Sequence, residues 1–550
     1  MKVIKIVEKN HSYEVEITDV LSDGRGVAKL DGYPLFVNNA VTGDRLLVTV
    51  TKTNKNYGFA KNEKILSPSK YRIQPECRCF SKCGGCDFMH IDYSYQLKLK
   101  ENFVKSNMSR IGGISENEYE FEGIVPADNV FAYRNKAQFP VGRIRKKTVC
   151  GFYSKKSHEI IPCDSCLIQS DDINRAVELV LEYADENRVS VYDERTHKGI
   201  LRHVYIRSSN SGDALMAVIV TNSKKPLPNE EALVSKLKQL ENIRSIIQNI
   251  NTKKSNLILG GENRVIWGDE YIKTSIGELE FKISAHSFFQ INSEQTEKLY
   301  QKALEYAAPD GDTVFDLYCG AGSISLFLAK RAKKVIGVEI VDAAVENAKE
   351  NAALSGVSNA EFYAGDCAEV VKELTDKGMS ADIVVVDPPR KGCSEELLKF
   401  IAGISPKRLV YVSCNSATLA RDAAIMKEYG YRLEKLCAVD MFPNSGHVET
   451  VVLLSKLYPD DKIEVDLDLD ELDITAAESK ATYEEIKAYI REKYGVKVSS
   501  LYIAQTKTKC GIIERINYNI SKKGTRVPQC PPDKENVIKD ALKHFGMIRQ

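Results

Sequence analysis

No stretch of the 550-residue sequence approaches the ~18 consecutive apolar residues that a membrane span requires, and the opening MKVIKIVEKNHSYEVEIT mixes charge into every apolar run. Neither membrane insertion nor secretion is expected, which points to a cytoplasmic protein. An excess of one charge is missing as well, since 77 Lys and Arg stand against 76 Asp and Glu. A nucleic-acid partner therefore has to be argued from local sequence and not from bulk charge. No internal repeat is present. The length exceeds what one hydrophobic core sustains and suggests about three or four domains. Cysteine is not scarce: of 14, four (Cys77, Cys79, Cys83 and Cys86) fall within CRCFSKCGGC. In a chain with no export signal, such spacing favours metal or cluster ligation over disulfides.

From about Tyr13 to Leu66, short alternating runs are broken by Asp23-Gly24, Asp31-Gly32 and Gly43-Asp44, the pattern of a small β-barrel. The segment DGRGVAKLDGYPLFVNNAVTGDRLLVTVTKTNKNYGFAKNEKIL resembles the TRAM domain, an oligonucleotide-binding-type barrel of RNA-modifying enzymes. DYSYQLKLKENFVKSNMSRIGG predicts an amphipathic helix with its basic residues outward and Gly112-Gly113 as the stop. In the following basic and aromatic stretch, Arg134, Lys136, Arg143 and Arg145 could hold phosphates while rings stack on bases; a solvated face is the plainer alternative.

From about Thr313 the runs TVFDLYCG, KVIGVEI, ADIVVVDPP and RLVYVSCN are each followed by a helical pattern, as in a doubly wound α/β sheet that VETVVLLS can close. Past Lys456 the acidic PDDKIEVDLDLDELD reads as a linker. Beyond it, ATYEEIKAYIREKYGVKVSSLYIAQ predicts helix then strand, and the chain ends in another helix.

Gly320 and Gly322 lie between an apolar strand and a helix, where backbone can approach a ligand. Glu339 ends the next strand about 20 residues on, placed to accept both ribose hydroxyls of a nucleoside. The third glycine of the dinucleotide fingerprint is absent, with Ile324-Ser325 following instead, so a cofactor lacking a pyrophosphate fits better. S-adenosylmethionine is such a cofactor, and Asp366 stands after the third strand, facing the adenine amine. Strand carboxyl ends carry the ligands of open α/β sheets, and Asp387 and Cys414 stand at two of them.

FFQIN, DLYCGAGSISL, DPPRKGC, YVSCNSATLARD and FPNSGHVETVVLL together resemble the RNA uracil-C5 methyltransferase family over residues 10 to 457. The resemblance implies a class I methyltransferase fold with Cys414 as nucleophile and Glu449 as base. It places Gln290, Tyr318, Glu339 and Asp387 around S-adenosylmethionine, with Asp366 near the adenine. The barrel and the cysteine segment resemble the branch acting on 23S ribosomal RNA, which implies a flipped or looped uridine as substrate and a monomeric enzyme. The chemistry agrees: a thiolate adding to carbon 6 makes carbon 5 nucleophilic, and a carboxylate can later remove the carbon 5 proton.

The cysteine segment reads two ways. Cys79, Cys83 and Cys86 form CxxxCxxC, as in radical enzymes, whereas Cys77, Cys83 and Cys86, with Cys166 at the matching family position, imply a [4Fe-4S] cluster. The second is preferred, because a radical enzyme has no use for a separate glycine-rich site or for Cys414. Zinc on Cys77, Cys79, Cys83 and Cys86 is a third option, and Cys79 and Cys163 are left without a role.

The expected architecture is a barrel (1–70), an α+β iron-sulfur domain (71–90 and 126–275), a methyltransferase domain (91–125 and 276–457), an acidic linker (458–475) and a small α/β module (476–550). Rival functions are transfer RNA methylation, exocyclic amine methylation, which needs no thiol, and a non-enzymatic RNA-binding assembly factor.

Overall fold

The computed structural model describes residues 7–155, 157–456, 483–510, 530–545 and 547–548. The chain divides into two units, Met1–Pro459 and Asp460–Gln550.

The first unit begins with a closed barrel of five strands, Ser12–Val20, Arg25–Leu30, Tyr33–Asn38, Arg45–Thr53 and Gly58–Ser67. Alternation fills it: Val15, Ile17, Val37, Leu46 and Val48 point inward, and their neighbours face outward. Asp44 ties the barrel to the segment that follows. Its buried carboxylate accepts from the amides of Val41 and Ser69, at 2.7 and 2.8 Å, and is paired with Arg72.

Next comes a seven-stranded sheet in the spatial order Glu262–Gly268, Ile243–Ile250, Leu215–Thr221, Leu201–Ser208, Lys136–Ile144, Lys147–Tyr153 and Ile160–Pro162. Leu201–Ser208 and Leu215–Thr221 are buried along their whole length because both faces are covered.

The third layer is an eight-stranded sheet in the order Ala360–Ala364, Lys334–Glu339, Thr313–Leu317, Ile383–Val386, Arg408–Ser413, Glu449–Lys456, Tyr431–Val439 and Glu120–Val125. The doubly wound order expected from the sequence is present. Glu449–Lys456 runs antiparallel to both neighbours and closes the parallel part.

Two sequence expectations need correction. The helix Tyr93–Arg110 forms, but its basic residues do not all face outward: Lys100 is fully buried and ion-paired with Asp440 at 2.5 Å. The partner lies 340 residues away and so left no local signature. In the second unit, the strand expected over SSLYIAQ is the helix Ser500–Lys509, which makes the described part of this module helical instead of α/β. The Ser499 hydroxyl accepts from the Tyr502 amide and starts the helix. Ile503 then packs with Ile486, Ile490 and Ile538 of the helices Tyr483–Tyr494 and Pro532–His544. The acidic linker lies outside the described residues. Among the described residues no helix is long and apolar enough to cross a membrane.

Candidate active site

Strand register aligns the predicted residues. Leu317 pairs with Val338 on one side and Val386 on the other, so Tyr318, Glu339 and Asp387 occupy the next position on three adjacent strands. Backbone at Tyr318, Gly320 and Gly322 is left-handed, with φ of 65°, 56° and 81°. A Cβ on Gly322 would sit 3.0 to 3.1 Å from Ala348 and Phe362, while nothing lies within 4 Å of the corresponding point on Gly320. The loop is thus packed on its inner side and open where a ligand can approach. The Glu339 carboxylate accepts from the amides of Gly320, at 3.2 Å, and Val341, at 3.0 Å, which fixes it at the mouth of the loop. Gln290 is buried, and its main-chain carbonyl accepts from the Asn135 side chain at 2.9 Å. Asp366 is at the surface and caps the helix Cys367–Asp376, accepting from the amides of Ala368 and Glu369 at 2.9 and 3.4 Å. This donor set, two strand-end carboxylates around an open glycine turn with no pyrophosphate cradle, fits S-adenosylmethionine.

Cys414 and Glu449 come together across a different strand pair. Ser413 is the register partner of Thr450, and the Thr450 hydroxyl donates to the Ser413 carbonyl at 3.1 Å. The next step along both strands sets Cys414 against Glu449. Burial, with the nearby Asp387 charge, pushes the Glu449 carboxyl up to about 8, Arg390 opposing. Burial likewise raises Asp387 to about 7, with Asp316 adding to it. The Cys414 thiol is pushed up to about 11, first by burial and then by Glu449 and Asp387, again with Arg390 opposing. The Arg390 carbonyl accepts from Asn415, at 3.0 Å, and Thr418, at 3.3 Å, locking the DPPRKG turn to the turn carrying Cys414.

Arg390 and Asp316 are missing from the sequence-based set. Arg390 lies within the DPPRKG turn. Asp316 is an acid in an otherwise apolar strand, fully buried, with one carboxylate oxygen unpartnered. That mismatch is the signal that could have flagged it.

Cys414 opens onto a cleft that Arg110, Arg390 and His447 line together with Arg25 of the barrel. The Arg25 guanidinium lies 5.2 and 5.4 Å from the ring centres of Phe36 and Phe59, which cluster with Tyr57 on the barrel surface. The barrel is docked on the loop that precedes Glu449, because a Cβ on Gly446 would lie 1.7 Å from the Ser22 carbonyl oxygen.

The basic residues expected to grip RNA separate into two places. Arg143 and Arg145 stand exposed at a hairpin tip, Arg143 beside Asp185, whereas Arg134 and Lys136 are partly buried at the start of the strand. The cysteines do the opposite. Cys77, Cys79, Cys83, Cys86, Cys163 and Cys166 all line one pocket. Burial raises Cys86 to about 12 and, helped by the neighbouring Cys163 and Cys77, Cys79 to about 11. Among the described residues no three side chains are placed to hold a single metal ion.

The strand order and glycine turn define a methyltransferase of the S-adenosylmethionine-dependent class. The chain belongs to the tRNA (uracil-5-)-methyltransferase family, whose model matches residues 92–457, and the TRAM domain model matches residues 7–62. It is 45% identical over 451 residues to an uncharacterized RNA methyltransferase of Clostridium tetani, covering 82% of this chain and 97% of that one. Against an uncharacterized RNA methyltransferase of Bacillus cereus it is 45% identical over 458 residues, covering 83% and 99%. Among solved structures it resembles Pyrococcus abyssi tRNA (uracil-54, C5)-methyltransferase in complex with S-adenosyl-L-homocysteine, with a TM-score of 0.65, 28% identity, and coverage of 80% of this chain and 99% of that one.

Proposed function

We propose that this enzyme makes 5-methyluridine in 23S ribosomal RNA through a covalent bond between Cys414 and carbon 6 of the target uracil, as a monomer in the cytoplasm. The observation that carries the reading is the nearness of Cys414 to Glu449 and Asp387, one step beyond the Ser413–Thr450 pair. Gln290, Tyr318, Gly320, Glu339 and Asp387 hold S-adenosylmethionine, which supplies an electrophilic methyl group. Asp366 sets the end of the adenine side by fixing its helix.

The Cys414 thiol loses its proton to solvent in the open cleft and adds as the thiolate to carbon 6, and the displaced electron pair moves through carbon 5 toward the carbonyl at carbon 4. Carbon 5 then carries the nucleophilic density. After methylation Glu449 takes the proton from carbon 5, the carbon 5–carbon 6 double bond re-forms, and the thiolate leaves. A carboxyl raised to about 8 is a stronger base once ionised than an exposed one and suits removal of a carbon-bound proton. A uracil reached from both faces has to leave its stack, and the cleft between barrel and catalytic turn gives it a place to go.

The six-cysteine pocket supports a [4Fe-4S] cluster held by Cys77, Cys83, Cys86 and Cys166. A single zinc ion would need four thiolates about 2.3 Å from one point. Among the described residues no three side chains are placed to hold a metal ion, which favours neither zinc nor the cluster.

A second reading, transfer RNA methylation, is favoured by one observation. The likeness to the Pyrococcus enzyme spans 80% of this chain, more than a match confined to residues 92–457 could reach, so a barrel alone does not select ribosomal RNA. Incubating the purified enzyme with unmodified ribosomal and transfer RNA and mapping 5-methyluridine by mass spectrometry decides between them. Product in ribosomal RNA alone supports the first reading, and product in transfer RNA alone overturns it.

A further inference from the structure

Lys136 and Arg207 are register partners on adjacent antiparallel strands of the central sheet. Like charges placed directly opposite each other repel and weaken a sheet. Arg207 is 1% exposed, and its guanidinium donates to the Ser284 carbonyl at 2.5 Å. No carboxylate offsets the loss of hydration at either residue. Burial, then Arg207 and Arg134, depresses the Lys136 ammonium to about 8. The Arg134 Nε is buried and has no hydrogen-bond partner. Three cations thus share one partly buried place, and a donor there points at nothing.

Asn135, between Arg134 and Lys136, donates to the Gln290 main-chain carbonyl and so ties this stretch to the FFQIN segment. Neither Lys136 nor Arg207 lines the cysteine pocket, although Arg134 lies close enough to Cys86 to pull its thiol downward.

We propose that Arg134, Lys136 and Arg207 form a receptor for a phosphodiester group of the substrate RNA. A phosphate supplies the missing negative charge and an acceptor for the unpartnered Arg134 Nε, while Lys136 acts as a point charge beside it. The unliganded protein carries the repulsion, and the bound RNA relieves it. The inference rests on an RNA substrate but not on which RNA is methylated.

The test measures two quantities on the full chain carrying its native metal content: affinity for the RNA that is methylated, across a salt series, and the thermal unfolding midpoint without RNA. For Lys136→Met the expected result is affinity about fivefold to tenfold weaker at low salt, with the slope of log K against log salt reduced by about 0.7 for one lost single-strand contact. The unliganded midpoint should rise by about 2 °C as the repulsion is removed. Lys136→Arg should restore the slope. Arg134→Gln should lower it as Lys136→Met does. An unchanged slope in Lys136→Met overturns the proposal, and so does a fall in the midpoint, which would make Lys136 a structural residue. Loss of iron with RNA affinity intact also overturns it, because the cations would then balance the cysteine pocket. Should ribosomal RNA prove not to be the substrate, the same measurements on transfer RNA keep the two questions apart.

Discussion

Cys414 and the six cysteines of the central domain present the same functional group in two opposite settings. Cys414 stands alone at a strand end, half-buried, with two carboxylates and one arginine around it. The six stand together among apolar side chains such as Phe80 and Met89, each thiol crowded by others. A solitary thiol beside acid and base groups suits a bond that forms and breaks, whereas a crowd of thiols needs positive charge among them before they can ionise together. Environment, not residue type, assigns the role.

The comparison breaks most sharply at Cys414 itself. Cys414→Ala is expected to lower methyl transfer by about ten-thousandfold or more, measured as 5-methyluridine formed, while iron content stays unchanged. Retained activity would move the enzyme to exocyclic amine chemistry.

Glu449→Gln should reduce turnover by about a hundredfold to a thousandfold. It should also let a denaturation-resistant protein–RNA species build up, visible by gel, because the step after methylation is slowed. In the wild type, release should speed as pH rises through about 8, where the Glu449 carboxyl ionises, and the glutamine variant should lose that dependence.

On the other side of the comparison, Cys86→Ser should lose iron and sulfide by chemical analysis, whereas Cys79→Ser should keep both. Equal loss in the two would reassign the ligands.

The buried Lys100–Asp440 pair sharpens the picture between the two settings. The stretch that follows Asp440 reaches Asn444, whose carbonyl accepts from the amides of Asp87 and Phe88, both at 2.9 Å and just past Cys86, and then runs on to Glu449. Lys100→Met, which leaves Asp440 buried and unpaired, should destabilise the protein by about 3 to 5 kcal/mol, read by denaturant unfolding.

The buried carboxyls also give stability a pH dependence. Folded-state pKa values of about 7 for Asp316 and Asp387 and about 8 for Glu449 lie above ordinary carboxyl values. The folded protein therefore holds more protons than the unfolded chain between about pH 4 and 8. Stability should fall as pH rises through that window, and Glu449→Gln should flatten the upper part of the decline.

Much of this site was legible because it sits at strand ends. Apolar runs marked the strands, the glycines marked the turn, and the residue after each run had to emerge at the ligand edge. What stayed hidden depends on contacts distant in sequence. Lys100 reads as an ordinary surface lysine until Asp440 is packed against it. Cys163 reaches the four thiols of the CRCFSKCGGC segment through the pairing of Lys147–Tyr153 with Ile160–Pro162. SSLYIAQ carries the short apolar run LYIA that a buried strand shares with a helix, and the Ser499 cap and the burial of Ile503 on two other helices make it helical. Asp366, read as facing a ligand, also serves as a helix cap, a duty its position just before CAEVV could have shown.

The contact between Gly446 and Ser22 changes what the barrel is. With no room for even a methyl group at that junction, the barrel packs directly on the loop before Glu449, and its Asp19–Arg25 stretch forms one wall of the cleft onto which Cys414 opens. Removing it would leave the thiol facing open water.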